Sequence, residues 1–191
     1  MKKFIILLCA LLPLSLNAQK LGNHHIEIGT GVAFPGEFLF ETAAKESNTV
    51  NLYGEYRYNF TPAFSAGAVY SFVIPHKGDL SYTDKETKEL VSISETTNYH
   101  TLNAIAEYKL GPYGPMCFFV GAGAGAQYRY VKYSHSLYPA GYWSADVSIH
   151  AGLEFFEHLR LTLGHYHDLH YPISALSSGA PYYYINLGWS F

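Results

Sequence analysis

The stretch that decides the fold is YYYINLGWSF, residues 182–191. Its odd-numbered positions carry Tyr, Ile, Leu, Trp and Phe, and its even-numbered positions carry Tyr, Tyr, Asn, Gly and Ser. A period of two is that of a β-strand, so one face of this strand is wholly apolar and aromatic. An apolar face on the outside of a molecule needs an apolar solvent, and we expect that solvent to be a membrane.

The same alternation recurs along the rest of the chain. It predicts strands at 25–34, 49–60, 64–73, 98–110, 116–130, 142–155, 159–167 and 182–191. The connections alternate in length, with short turns at 61–63, 111–115 and 156–158 and long segments at 35–48, 74–97, 131–141 and 168–181. We therefore predict an all-β fold, an eight-stranded antiparallel up-and-down transmembrane β-barrel. Such barrels have short periplasmic turns and long extracellular loops, so both termini are expected to be periplasmic.

The first residues have the features of a secretory signal. Lys2 and Lys3 precede an apolar run at 4–12, and small residues at 16–18 predict cleavage before Gln19. The predicted domains are a signal peptide, 1–18, and a barrel, 19–191. The apolar run is too short to span a bilayer as a helix.

Composition excludes several other classes of protein. Hydrophobic residues make up 49% of the chain, yet no segment after the signal has 18 consecutive apolar residues, which argues against helical membrane spans. The formal net charge of −3 argues against a nucleic-acid partner, which would require a basic surface. Cys117 is the only cysteine beyond the signal, so no internal disulfide is possible.

The charged residues of the predicted strands all fall on the face opposite the apolar one. They are Glu27, Glu55, Arg57, Glu107, Lys109, Arg129, Asp146, Glu154 and Arg160, and His150 shares their face. An Arg or Lys facing lipid at mid-depth would cost about 2 to 4 kcal/mol. We therefore predict that these side chains form a polar network in the lumen. Because eight strands enclose a lumen just wide enough for side chains, a filled interior is favoured over a small porin, which remains an alternative. A soluble lipocalin-type barrel would place its apolar face inside.

On these features the chain resembles the small outer-membrane β-barrel families, of which the OmpA membrane domain and OmpX are types. The resemblance is architectural and covers the whole mature chain. Its most specific part is NLGWSF, residues 186–191, which resembles the terminal signal recognised by the barrel-assembly machinery. The resemblance implies insertion by that machinery through Leu187, Trp189 and Phe191, the outer membrane of a Gram-negative bacterium as location, and contact with its lipid, including lipopolysaccharide. It implies no activity, and a non-enzymatic surface protein is the first hypothesis.

A histidine-rich stretch, HYHDLH at 165–170, supplies the enzymatic alternative. It resembles the His-x-Ser-Asn motif that lipid A deacylases carry on the lipid-facing side of the same strand. His165 matches the first position of that motif, but His167 stands in the place of the serine and Asp168 in that of the asparagine. Without a hydroxyl there is no nucleophile for acyl transfer. His165, His167 and Asp168 are thus candidates for an altered site, and histidines at a membrane rim are more often headgroup contacts than metal ligands. No metal or cofactor is predicted.

A possible partner is a second copy of the chain. Small residues permit close approach between proteins in a membrane. Six outward-phase alanines of neighbouring predicted strands could form such a surface, namely Ala66, Ala68, Ala104, Ala106, Ala122 and Ala124. The alternative is that alanine simply fills part of the lipid-facing wall.

Overall fold

The computed structural model describes residues 23–35, 44–83, 90–111, 115–133, 140–169 and 182–191. The predicted signal, 1–18, and the charged run at 84–89 lie outside this part of the chain. Its strands are β1 His24–Pro35, β2 Ala44–Glu46, β3 Thr49–Asn59, β4 Phe64–Thr83, β5 Leu90–Leu110, β6 Met116–Tyr133, β7 Ala140–Phe155, β8 Leu159–Asp168 and β9 Tyr182–Ser190. The described residues include no helix that is long and apolar enough to cross a membrane.

Eight of these strands form a closed antiparallel barrel, which confirms the predicted fold class. Each pairs with the next along the chain, β4 pairs with both β3 and β5, and β1 pairs with β9 to close the cylinder. The three-residue strand β2 pairs only with β4 and is not one of the eight. Closure satisfies the backbone hydrogen bonds of all eight barrel strands, as a membrane interior requires.

The two ends of the barrel differ in how the strands are joined. At one end, here named the turn end, lie the start of β1, the end of β9 and the short turns. Phe156 and Glu157 have φ values of 54° and 65°, the left-handed pair that matches the twist of a tight hairpin. The 61–63 turn is closed by Thr61, whose hydroxyl accepts a hydrogen bond from the amide of Phe64 at 2.9 Å. The opposite end is named the hairpin end.

The hairpin between β4 and β5 is much longer than the sequence predicted. Residues 74–83 and 90–97, expected to be loop, are strand and pair as far as Thr83 with Leu90. The register shifts between Val73 and His76, on either side of Pro75. Proline cannot donate to a sheet ladder, so a bulge is where a strand tolerates it. The prediction of a loop over 74–97 was wrong for these two segments.

The outer wall of the barrel is apolar around its circumference. Exposed side chains include Ile28, Leu52, Tyr70, Leu102, Val120, Ile149, Leu163, Ile185 and Leu187, drawn from all eight strands. Exposed aromatic rings gather towards the turn end at Phe60, Phe64, Tyr108, Phe118 and Trp189, and Trp143, 70% exposed, lies towards the hairpin end. A cylinder with this surface is suited to hydrocarbon with aromatic rings at its interfaces.

Glycines occupy the inward positions of β6, at Gly121, Gly123 and Gly125. A Cβ at Gly125 would overlap the backbone carbonyl oxygen of Leu102 and the side chain of Asn103. Because backbone cannot move aside as a side chain can, β5 and β6 approach this closely only where no Cβ intervenes. The period-two glycines therefore shape the wall of the barrel.

Replacement of Gly125 by alanine should destabilise the barrel by about 1 to 3 kcal/mol, the usual cost of overpacking. Gly54→Ala is the matched control, because a Cβ at Gly54 would have no neighbour closer than 4.0 Å. The measurement is urea-induced unfolding of both variants from lipid vesicles. Equal stability of the two variants would contradict the steric role assigned to Gly125.

Candidate functional site

Two arginines and four glutamates meet inside the barrel near the turn end. The guanidinium of Arg160 lies 2.9 Å from Glu27, 3.1 Å from Glu55, 2.9 Å from Glu107 and 3.4 Å from Glu154. That of Arg57 lies 2.8 Å from Glu27, 2.8 Å from Glu55 and 3.0 Å from Glu107. Both arginine side chains are almost fully buried, at 1% and 3% exposure. The two cations therefore share the same carboxylates, which draws five strands together.

Further side chains complete this group, which is named the ionic cluster. Lys109 Nζ donates to Glu154 at 2.6 Å, and His150 Nε2 hydrogen-bonds Glu107 at 2.8 Å. Tyr53 donates its hydroxyl hydrogen to Glu27 at 2.5 Å. The ring of Phe119 lies 3.8 Å from Arg160 Cζ, a cation–π contact. Four carboxylates thus share three permanent cations, and the imidazole of His150 adds one more hydrogen-bond partner.

Above the ionic cluster the lumen is nearly full. A cavity of about 10 Å³ lies among Tyr53, Glu55, Ile105, His150 and Tyr166. This is room for about one water molecule. A continuous aqueous path through this level would require side chains to move.

Tyrosine rings form the next layer towards the hairpin end. Tyr166 packs against Tyr182 and Tyr184 with ring centroids 4.9 and 5.1 Å apart, and Tyr99 lies 5.7 Å from Tyr182. The hydroxyl of Tyr182 is 3.2 Å from that of Thr101. Aromatic rings fill volume while their hydroxyls satisfy polar neighbours, so this layer closes the lumen without an unpaired charge.

A second ion pair lies nearer the hairpin end. Arg129 donates to Glu95 at 3.2 Å and to the hydroxyl of Tyr142 at 2.9 Å. Asp146 accepts a hydrogen bond from Asn103 at 3.3 Å. Of the residues predicted to line the lumen, eight belong to the ionic cluster, whereas Arg129 and Asp146 lie apart from it. Glu95 was missed because it falls in the segment predicted to be loop, although the alternation of VSIS at 91–94 could have revealed that strand.

The three candidate catalytic residues do not share one face of the wall. His165 and His167 lie on the outward face of β8, where the ring of His165 is 4.4 Å from that of Tyr183 and 5.9 Å from that of His167. Asp168, 3% exposed, faces the lumen and is paired across strands with Asp146. Neighbouring residues of a strand point to opposite faces, so the wall separates the carboxylate from both imidazoles. No group of three or more metal-ligating side chains occurs among the described residues.

Sequence reasoning also missed an outward histidine. His100 Nδ1 hydrogen-bonds the hydroxyl of Tyr70 at 2.7 Å, and its ring stacks on Phe72 at 4.7 Å. On its other side lies Tyr128, whose ring is 5.0 Å from that of Trp143. This row of rings belongs to the aromatic belt of the hairpin end, and the position of His100 between aromatic cross-strand neighbours was the available signal.

The six alanines of the proposed contact surface lie side by side on the outer wall. Ala66 pairs with Ala106 and Ala106 with Ala122, and the second row follows the same order. That row consists of Ala68, Ala104 and Ala124. Contact of this patch with another copy stays a prediction.

Loss of Arg160 should be strongly destabilising, because it leaves Glu27 and Glu107 in a buried site with excess negative charge. We expect Arg160→Met to lower the free energy of unfolding by about 3 to 5 kcal/mol. Lys109→Met is the control, since Lys109 contacts one carboxylate and is more exposed, at 12% against 1%. Urea unfolding from vesicles measures both. A smaller effect for Arg160 than for Lys109 would contradict its central place in the cluster.

Comparison with known proteins places the fold. No protein-family model and no curated protein sequence matches the chain. Among solved structures, the alignment with Neisserial surface protein A (NspA) covers 88% of this chain and 96% of the NspA chain, at 10% identity and a TM-score of 0.58. The alignment with the outer membrane protein OprG from Pseudomonas aeruginosa covers 88% of this chain and 96% of the OprG chain, at 12% identity and a TM-score of 0.55. The alignment with the outer membrane enzyme PagL covers 86% of this chain and 98% of the PagL chain, at 13% identity and a TM-score of 0.44. The similarity to NspA and OprG shows that the chain has the fold of the small eight-stranded outer-membrane barrels.

Proposed function

We propose that the protein is a non-enzymatic outer-membrane barrel of a Gram-negative bacterium, with a closed lumen and a hairpin end that makes contacts at the cell surface. The observation that carries this proposal is the filled lumen. The ionic cluster, the tyrosine layer and the Arg129–Glu95 pair stand one above another, with a cavity of only about 10 Å³ among the residues between the first two. A barrel so filled is suited to holding a surface structure in the membrane and poorly suited to conduction.

The location and orientation rest on the surface of the barrel. Its apolar outer wall matches hydrocarbon, and the extended β4–β5 hairpin, rich in polar residues, matches water. With the long hairpin outside the cell, both termini are periplasmic, as in barrels with short periplasmic turns. Leu187 and Trp189 face outwards, and the amide of Phe191 donates to Ile26 at 2.8 Å, so this strand closes the seam with β1. We assign to Leu187, Trp189 and Phe191 the recognition by the assembly machinery.

Purified protein in a planar bilayer should show no steady, large unitary conductance. The side chains of Arg57, Arg160 and Tyr182 are buried within the lumen, and moving the two arginines would break buried ion pairs. Fractionation of expressing cells should place the same chain in the outer membrane. Steady openings of porin size would overturn the closed-lumen proposal, and recovery from another compartment would overturn the location.

The enzymatic alternative has its own test. If His165 and His167 formed a deacylase site, lipid A from cells with and without the gene would differ in acyl chain number by mass spectrometry. We expect matching profiles, because the outward face offers no hydroxyl at the place of the motif's serine and Asp168 lies on the opposite face. A difference that His167→Ala abolished would establish the enzyme and end the non-enzymatic proposal.

A further inference from the structure

On the part of the outer wall whose side chains the structure describes, ionised groups lie at one end of the barrel. Among the strand residues whose side chains the structure describes, only Lys77 and Lys132 carry an ionised group on the outward face, and both are exposed. All the other ionised strand side chains of that part face the lumen, including those of the ionic cluster. The two lysines therefore place two positive charges at the same end of the barrel, on neighbouring ladders of the outward face.

The register places the two lysines on either side of a single residue. Lys77 of β4 is the cross-strand partner of Thr96 of β5, and Thr96 is in turn the partner of Lys132 of β6. Since neighbouring strands lie about 4.8 Å apart, the two lysine backbones are about 10 Å apart. Lysine side chains are long and flexible, so both ammonium groups can reach one anion placed over Thr96, whose hydroxyl supplies a third donor.

The backbone at Lys77 is held in place. Ser47 donates both its amide and its hydroxyl hydrogen to the carbonyl oxygen of Lys77, each at 3.0 Å. In the pairing of β4 with β5, the next pair after Lys77 and Thr96 is Gly78 with Glu95. Lys77 therefore lies within a continuous strand and not at a frayed end. The backbone of Lys77, from which the first ammonium group extends, is therefore fixed relative to Thr96.

The outward face of β5 shows how far the row formed by Lys77, Thr96 and Lys132 lies from the apolar part of the wall. From Leu102 towards the turn end its outward residues are apolar, with Leu102 57% exposed, whereas Asn98 and His100 are polar. His100 is in the aromatic belt, and Thr96 lies four residues beyond it, about 13 Å along the strand. With a strand tilt of 35–45°, as is typical, the row stands about 10 Å above the belt along the membrane normal. This is the level of lipid headgroups.

We infer that Lys77, Thr96 and Lys132 form a binding site for the phosphate group of an outer-leaflet lipid. The inference rests on the proposed location and orientation, which put this row in the outer leaflet. Two ammonium groups match a phosphate that carries more than one negative charge, and the apolar wall on the far side of the aromatic belt accommodates the acyl chains of the same molecule. A free anion would gain only the first of these contacts, which favours a lipid as the occupant.

The test uses the purified, folded full chain in detergent micelles and lipid A that carries two phosphates. The double variant Lys77→Gln/Lys132→Gln should bind this lipid about 30-fold more weakly, the effect of removing two lysines from a charged membrane surface. The matched control Lys77→Arg/Lys132→Arg keeps both charges and should retain binding within about threefold, since arginine also binds phosphate. Circular dichroism shows that each variant is folded.

Three outcomes would overturn the site. The first is unchanged binding by the Gln variant, and the second is equal binding by the wild-type chain of the same lipid lacking its phosphates. The third is complete displacement of the lipid by millimolar inorganic phosphate, which would assign the lysines to free anions. Failure of the site leaves the barrel in the outer membrane with a closed lumen, because fractionation and conductance test those properties separately.

Discussion

The rest of the structure depends on the buried ion pairs of Arg160. Its guanidinium touches carboxylates from β1, β3, β5 and β7 while its own backbone belongs to β8. One side chain thereby ties together five of the eight barrel strands, and Arg57 repeats most of the same contacts. A buried carboxylate is tolerated only when it is paired, so each glutamate depends on the two cations and the cations depend on the glutamates. The cluster therefore fixes the register of its strands as well as filling space.

The exterior follows from the same constraint. Because charge is confined to the lumen through the membrane-spanning part of the described wall, every strand there must turn its apolar alternate residues outwards. This inversion gives the period-two pattern from which the fold was predicted. The glycines of β6 serve the inside in another way, since Gly125 lets the wall approach Asn103 and the backbone of β5. The bulky and charged side chains of the lumen, together with the glycines of β6, determine how little free volume remains inside the barrel.

The sequence predicted the membrane-spanning strands well because their two faces differ strongly. Leu102 and Asn103, for example, are adjacent yet differ from 57% to 0% exposure. Towards the end of the β4–β5 hairpin this contrast becomes weaker, as expected where water covers the outer face and polar residues suit both sides. Residues 90–97 were therefore taken for loop although they pair continuously with β4. Strand pairing in that region is carried by backbone hydrogen bonds, which leave only a weak mark on residue choice.

The position of Asp168 on the lumen face was missed for a different reason. The stretch HYHDLH was treated as a linear motif, whereas a strand sorts residues by parity, and Asp168 consequently faces Asp146 in the lumen. The parity rule was available from the sequence and would have separated the carboxylate from His165 and His167. In contrast, the partners within the ionic cluster could not have been predicted, because they join strands far apart in the chain. Glu27 and Arg160, for instance, are 133 residues apart.

The division of the barrel into a packed membrane level and a projecting hairpin limits where function can reside. Variation inside the lumen is costly, because each change leaves a buried charge or a void. Substitution on the lipid-facing wall is limited to apolar and small residues. In the proposed orientation the hairpin end carries neither restriction, since its side chains would meet water and headgroups. Lys77 and Lys132 are the described strand positions where charge is carried on the outer surface, so recognition by this protein is expected to begin at that boundary.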